Sequence, residues 1–508
     1  MGSAAPARKR QDSQGLPGIR MLIGGNWRDG VVERDVVDPY RREVIARAPE
    51  SDMKDLDVAL KAAVAAKPLI AEMPEYERAA LLRRVADRLV ARAEEIAETM
   101  SRETGKAIKD ARAEVVRSQD TINLSAEEAI RIEGEHVPLD GSPMGAGKTE
   151  MLLRFPVGVV AGITPFNAPF NLACHKLAPA IAAGNPIVLK APPQSPWVVS
   201  KLSELFVEAG TPPGFVNVLY GNSVGAPLVR DPRVDFISFT GSGRVGVEIK
   251  VASGTRRVAL ELGGNGSTIV CADANIAEAA AQCARNSMRL DGQSCISVQN
   301  VYVHASLYDA FVEALTRGVQ RLRLGDPLDE DTDVGTLIDE PSAQRVEAWV
   351  NEALQRGARA TTGGRRHGAA YEPTVLVDVD PSMRVVCDEV FGPVVTVQRF
   401  TELEPVMARI RAEQYGLQCG IFTDSMQTSF KAVRQLRVGV FIVNGTSTWR
   451  TDQLPYGGVK ASGIGRGAAL CHSRHDRRAS GGFQPVGRLH EGFALVMTGN
   501  FRQIKKER

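Results

Sequence analysis

Seven cysteines are spread along the chain, at positions 174, 271, 283, 295, 387, 419 and 471, and one of them sits where a thiol could do chemistry. Cys295 lies in Asp291-Gly-Gln-Ser-Cys-Ile-Ser-Val298, after a Gly-Gln pair that can bend the backbone and before a β-branched run from Ile296 to Val303. A thiol at the mouth of such a turn presents its sulfur to a cleft while the strand behind it holds it still. A lone cysteine is more often a small buried hydrophobe, so the segment gains meaning only from its company. Gly241-Ser-Gly-Arg-Val-Gly246 fits G-x-G-x-x-G between an expected strand and an expected helix, where helix N-terminal amides suit a pyrophosphate. The next strand ends in Glu261, 15 residues beyond Gly246 and short of the usual ribose-carboxylate spacing of about 20. Gly145-Ala-Gly-Lys-Thr149 looks like the end of a phosphate-binding loop, but Ser142 stands where its first glycine belongs. Met151-Leu-Leu-Arg-Phe155 then reads as a strand where a helix is required, so a hairpin tip is expected.

The elements that position these residues follow from hydrophobic periodicity. Ser51 and Asp52 can cap a helix through Leu56, Leu60 and Ala63, and helical spacing continues over Glu75–Ser101 and from Lys106 to about Arg131. From Val157 onward strands alternate with helices. Strands are expected at Val157–Ile163, Pro186–Lys190, Val216–Leu219, Phe236–Phe239 and Val258–Glu261, with helices near Asn171–Ala183, Ser195–Ala209 and Val224–Arg230. Such alternation implies parallel βαβ units in an open α/β sheet, whose strand ends form the ligand crevice. A further α/β segment runs from Thr268 to about Arg399. A helix–strand piece to Asn444 and a glycine-rich loop, Pro455–Arg466, follow it.

Composition narrows the class. The 508 residues are 44% hydrophobic and 24% charged, as in an ordinary globular protein of several domains. A net charge of +2 argues against a nucleic-acid surface. No apolar run is long enough to span a membrane. The cysteines show no C-x-x-C spacing, which points to free thiols in a reducing, cytoplasmic setting and to no metal site. Residues 1–20, rich in Gly, Ala, Pro, Ser and basic side chains, read as a disordered leader.

Taken together the motifs resemble the aldehyde dehydrogenase superfamily over roughly Met21 to Arg466. The matching pieces are Thr164-Pro-Phe-Asn-Ala-Pro-Phe170, Lys190, Phe239-Thr-Gly-Ser242, Glu261-Leu-Gly-Gly-Asn265, Gly292-Gln-Ser-Cys295, Glu389-Val-Phe-Gly-Pro393 and Pro455-Tyr-Gly-Gly458. The resemblance implies an α/β fold with a Rossmann-type cofactor domain (residues 21–128 and 151–262) and an α/β catalytic domain (263–455). It also implies a small β oligomerisation flap from residues 129–150 and 456–508, the latter with a divergent tail after Arg466. A homodimer or homotetramer follows from the same resemblance. It makes Cys295 the nucleophile that forms a thiohemiacetal and then a thioester, Asn167 an oxyanion donor, Glu261 the base for the hydrolytic water and Lys176 a proton-relay lysine, a residue that reads equally as a surface charge. For the cofactor, NAD or NADP, it implicates Thr164, Pro165, Phe166, Lys190, Gly241, Ser242, Gly246, Leu262, Glu389 and Phe391. Pro193 stands where NAD-preferring members carry a glutamate, which leaves NADP open. Leu290 replaces a family asparagine ahead of the cysteine.

The resemblance also locates the substrate tunnel, where members acting on apolar aldehydes use aromatic residues. This chain places Arg117, His175, Arg289 and Arg450 there. A guanidinium pair clamps a carboxylate or phosphonate bidentately, so a short aldehyde with an anionic tail is expected; the alternative is that one or more of these arginines, Arg289 foremost, pairs with a surface carboxylate. The pattern looks like the branch holding phosphonoacetaldehyde, lactaldehyde and succinic semialdehyde dehydrogenases. The alternatives are a CoA-acylating member, disfavoured by Glu261, and a non-catalytic relative.

Overall fold

A computed structural model describes residues 15–465, 476–479 and 494–497. The first of two large sheets has the strand order Asn26–Arg28, Met21–Ile23, Val216–Leu219, Ile187–Lys190, Val160–Ile163, Phe236–Thr240, Arg257–Glu261, Gly463–Ile464. Its five central strands are parallel, and antiparallel pairs finish both edges. Short apolar runs such as Ile187-Val-Leu are buried because helices cover both faces of a parallel sheet. The chain walks outward from Val160–Ile163 to Val216–Leu219, then returns to the other side of Val160–Ile163 with Phe236–Thr240. The winding reverses between those two strands, and a crevice must open beyond their carboxyl ends. Thr164-Pro165-Phe166 and Gly241-Ser242 follow directly from them.

The second sheet has the order Arg359–Thr362, Thr374–Val377, Val394–Phe400, Val298–His304, Gly266–Val270, Gln418–Phe422, Val440–Val443, Ala494–Met497, parallel except at the first pair. Leu262-Gly-Gly-Asn265 joins the two sheets, which puts Glu261 at the seam. A side chain at Gly264 would run into the carbonyl of Cys295. The cysteine loop can therefore lie against this linker only because the residue is glycine.

Several expectations shift. The helical stretch at Glu75–Ser101 is two helices, Glu75–Ala91 and Ala93–Thr104, broken at Arg92, whose guanidinium reaches Glu95, Glu204 and Glu208. A cofactor-domain boundary at 151 would cut a strand, because Glu150–Pro156 pairs with Glu135–Val137 and with Asp476–Ala479 in a small separate sheet. The Gly145–Thr149 segment leads into that strand and is the expected hairpin tip. Part of the expected leader is placed: Ile19 is buried and its N–H donates to the Arg47 carbonyl at 2.9 Å. Residues 456–508 give more than a flap, since Gly463–Ile464 joins the first sheet and Ala494–Met497 the second. The rest of the expected leader and tail lies outside the described residues.

Candidate active site

A cavity of about 260 Å³ opens at the seam, its lining including Asn167, Glu261, Cys295, Glu389, Phe391, Arg117, Arg450 and Tyr456. A second cavity of about 360 Å³ lies over the carboxyl end of the first sheet and shares Pro165, Phe166, Thr240, Gly241 and Ser242 with it. Together they form one crevice at the reversal of the winding.

Cys295 is carried on a loop whose backbone is bent sharply. Leu290, Asp291 and Gly292 take φ values of 54°, 57° and 67°, three left-handed residues in a row. Leucine and aspartate pay for that conformation where glycine does not. Compensating bonds hold the loop: the Leu290 N–H donates to Asp110 at 3.1 Å, and the Gly335 N–H donates to the Asp291 carboxylate at 2.6 Å. Burial pushes the Cys295 thiol up to about 11, although a hydrogen bond with Tyr456 works in the opposite direction. The Cys295 sulfur and the Tyr456 hydroxyl are 3.0 Å apart.

Asn167 begins the turn into the helix Pro169–Ala182. Its amide donates to the Gln293 carbonyl at 2.9 Å, which ties it to the cysteine loop. An amide carries a second N–H that it can offer to an oxyanion. A buried pair holds this turn from behind. Lys106 Nζ is 2.6 Å from Glu114 and donates to the Asn167 backbone carbonyl at 2.7 Å, while Glu114 accepts the N–H groups of Phe170 and Asn171.

Glu261 is buried at its strand end, accepts from the Thr240 hydroxyl at 2.7 Å and lies 3.5 Å from Lys176 Nζ. Burial alone would raise its carboxyl, but the charges of Lys176, Arg450 and His175 outweigh that and hold it at about 2. Lys176 is therefore an interior lysine on the Pro169–Ala182 helix and not a surface charge.

On the cofactor side, Thr164, Pro165, Phe166, Lys190, Gly241 and Ser242 all line the second cavity. Burial brings the Lys190 ammonium down to about 8, with Glu50 acting against it. Glu389 accepts the Gly264 N–H at 2.9 Å, and burial pushes its carboxyl up to about 7. Phe391 packs edge-on against Phe166, ring centroids 5.9 Å apart. Leu262 lines the first cavity. Gly246 lies away from the crevice wall: a Cβ there would strike Leu262, so its role is close packing of the helix Gly243–Ala252. An elongated crevice at the reversal, with a lysine toward one end and a carboxylate toward the other, fits a dinucleotide.

The four expected substrate residues divide three to one. Arg117, His175 and Arg450 converge on Asp452, at 3.2, 3.5 and 3.8 Å, with the Thr121 hydroxyl donating to the same carboxylate at 2.5 Å. Burial opposes ionisation of Asp452, yet His175, Arg117 and Arg450 hold its carboxyl far below the usual range. Burial lowers the His175 imidazole, with Asp452 pulling the other way. The Arg450 guanidinium stacks over the Tyr456 ring, 3.9 Å from its centroid. Arg289 points elsewhere. It pairs with Asp110 at 3.2 Å and does not line the cavity, because the left-handed turn that follows it directs it outward. Asp452 and Tyr456 were not anticipated as site residues. The sequence offered only the position of Tyr456 in Pro-Tyr-Gly-Gly as a signal for it, and none for Asp452.

A doubly wound sheet whose crevice opens onto a half-buried cysteine sets a dinucleotide-sized site beside a thiol. The chain belongs to the aldehyde dehydrogenase family, whose model matches residues 27–473, and it is thus an oxidoreductase acting on the aldehyde group. It is 43% identical to the 3-sulfolactaldehyde dehydrogenase of Priestia aryabhattai, over 88% of this chain and 94% of that one. Among solved structures, aldehyde dehydrogenase 21 of Physcomitrella patens, in complex with its reaction product succinate, superposes with a TM-score of 0.89. That pair shares 38% identity and covers 91% of this chain and 98% of the other. The NADP-dependent glyceraldehyde-3-phosphate dehydrogenase of Bacillus halodurans, complexed with NADP, gives a TM-score of 0.89 at 32% identity, covering 91% and 98%.

Proposed function

We propose that the chain oxidises a short aldehyde bearing an anionic group, a sulfonate, carboxylate or phosphonate, to the corresponding acid. The cofactor is NAD or NADP. The observation that carries the substrate class is the Arg450 guanidinium on the cavity wall: it is buried, its Nε has no hydrogen-bond partner, and its nearest carboxylate, Asp452 at 3.8 Å, is shared with Arg117. A buried guanidinium so loosely paired is costly unless an anion arrives to meet it. The relatives support this reading, since one acts on a sulfonated aldehyde and another holds a dicarboxylate product.

Each step then falls to a side chain of the crevice. Cys295 attacks the carbonyl carbon, and its sulfur forms the new bond of a thiohemiacetal. The second N–H of Asn167 and the Cys295 backbone N–H meet the developing oxyanion. A nicotinamide held in the crevice would supply the two-electron acceptor needed between thiohemiacetal and thioester. Glu261 takes a proton from the water that cleaves the thioester. Its contacts with Lys176 and Thr240 keep it ionised, the form that accepts a proton. The presence of Glu261 on this wall favours hydrolysis over transfer to a CoA thiol. Arg117, Arg450 and His175 hold the anionic end. The alternating exposed side chains Met151, Leu153 and Phe155 support a homo-oligomer built on the small sheet. No helix among the described residues is long and apolar enough to cross a membrane. The six described cysteines are all free, which supports a cytoplasmic site of action.

The test is cofactor reduction with matched pairs of aldehydes, for example succinic semialdehyde against butyraldehyde. The anionic member should win in kcat/KM by about 30-fold or more, the equivalent of about 2 kcal/mol. Equal values would remove the substrate assignment and leave only the family chemistry.

A further inference from the structure

The Cys295–Tyr456 contact joins groups that the mechanism above leaves separate. Four ionisable side chains bear on the sulfur: Tyr456 and Arg450 from the segment after the Val440–Val443 strand, Glu261 from the end of the first sheet, and Glu389 from the loop ahead of Val394–Phe400. The two carboxylates oppose a negative sulfur. Only Tyr456 touches it, at 3.0 Å, and Tyr456 is buried with Arg450 stacked on its ring 3.9 Å from the centroid. A guanidinium over a phenol withdraws charge from the ring and makes the hydroxyl a stronger donor.

We propose that Tyr456 is a further catalytic residue: its hydroxyl donates a hydrogen bond to the Cys295 sulfur as the thiolate forms and, with Arg450 on its ring, lowers the cost of that ionisation at the cavity wall. The inference rests on Cys295 as the nucleophile. It gives Arg450 two tasks, receiving the substrate anion and polarising the phenol, and so places substrate recognition one side chain from the reacting atom. A phenylalanine would fill the same space and keep the stacking, but it would leave the sulfur facing two carboxylates with no donor.

The experiment is the pH dependence of Cys295 alkylation in the cofactor-free enzyme, where the thiolate displaces iodide from iodoacetamide. Labelling is read on the Cys295 peptide by mass spectrometry, because the exposed Cys387 reacts as well. In Tyr456→Phe the midpoint should move up by about one pH unit, so that labelling at a fixed pH below both midpoints slows about tenfold. Retained cofactor binding shows that this variant is folded. Arg450→Gln, which keeps the hydroxyl and removes the cation, is the second variant and should move the midpoint up by less. Unchanged midpoints in both variants overturn the proposal, even if turnover falls, since a packing role would lower turnover without moving the titration. If alkylating Cys295 leaves turnover intact, the nucleophile assignment itself fails, an outcome separate from the first.

Discussion

Replacing Arg450 with methionine separates the substrate anion from the rest of the site. The side chain is almost fully buried, stacked 3.9 Å over Tyr456 and 3.8 Å from Asp452, and methionine keeps most of the apolar stem that packs there. Asp452 stays paired, since Arg117 and His175 remain at 3.2 and 3.5 Å. Glu261 stays ionised, because Lys176 acts on it more strongly than Arg450 does. The variant therefore loses two things. Loss of the positive field near Cys295 slows every aldehyde, by about tenfold for each pH unit that the thiol rises. Loss of a buried partner for the substrate anion costs about 2–5 kcal/mol, roughly 30- to several-thousand-fold in kcat/KM, and only for charged aldehydes. Burial leaves little solvent to screen the contact. The assay is steady-state reduction of the nicotinamide with succinic semialdehyde and with propionaldehyde, in both proteins. The ratio of the two losses isolates the anion contact and should exceed about 30. Equal losses would refute the reasoning and make Arg450 a structural partner of Tyr456 and Asp452.

Two further outcomes follow from the same geometry. With its ammonium at about 8, Lys190 is charged below that pH and neutral above it, and a 2′-phosphate is held better by the charged form. NADP affinity, followed by fluorescence titration, should thus weaken as pH rises past 8 and be nearly flat in Lys190→Met, and an unchanged wild-type affinity to pH 10 would contradict this. Lys106→Met strands Glu114 without its ion-pair partner and should cost about 3–5 kcal/mol in urea unfolding. A change below about 1 kcal/mol would show that the backbone N–H groups of Phe170 and Asn171 suffice to hold that carboxylate.

The readable parts of the site are those in which chemistry and backbone lie in one contiguous stretch. Glu261 and Lys190 each end a strand, and Cys295 lies three residues ahead of one, all within short motifs. The alternation of strands and helices from Val157 placed the crevice because a parallel sheet has few ways to wind. Arg289 was misplaced for a local reason. The left-handed run at Leu290 and Asp291 depends on distant partners, Asp110 and Gly335, and no periodicity reports such a turn. Lys176 could be read as a surface charge because its pairing with Glu261 crosses 85 residues of chain. Asp452 escaped notice for the same reason, since its partners Arg117, Thr121 and His175 come from helices more than 270 residues earlier. The break at Arg92 is hidden too, because the apolar spacing runs on through it while the guanidinium turns to Glu204 and Glu208.

The central claim is that a thioester forms on Cys295 and that Glu261 is needed to cleave it. It is tested most directly by intact-protein and peptide mass spectrometry of Glu261→Gln after mixing with succinic semialdehyde and NAD or NADP. A burst of about one equivalent of reduced cofactor per site is expected, then a stall, with the succinyl group carried on the Cys295 peptide. Steady turnover with no adduct, or an adduct on another residue, would contradict it.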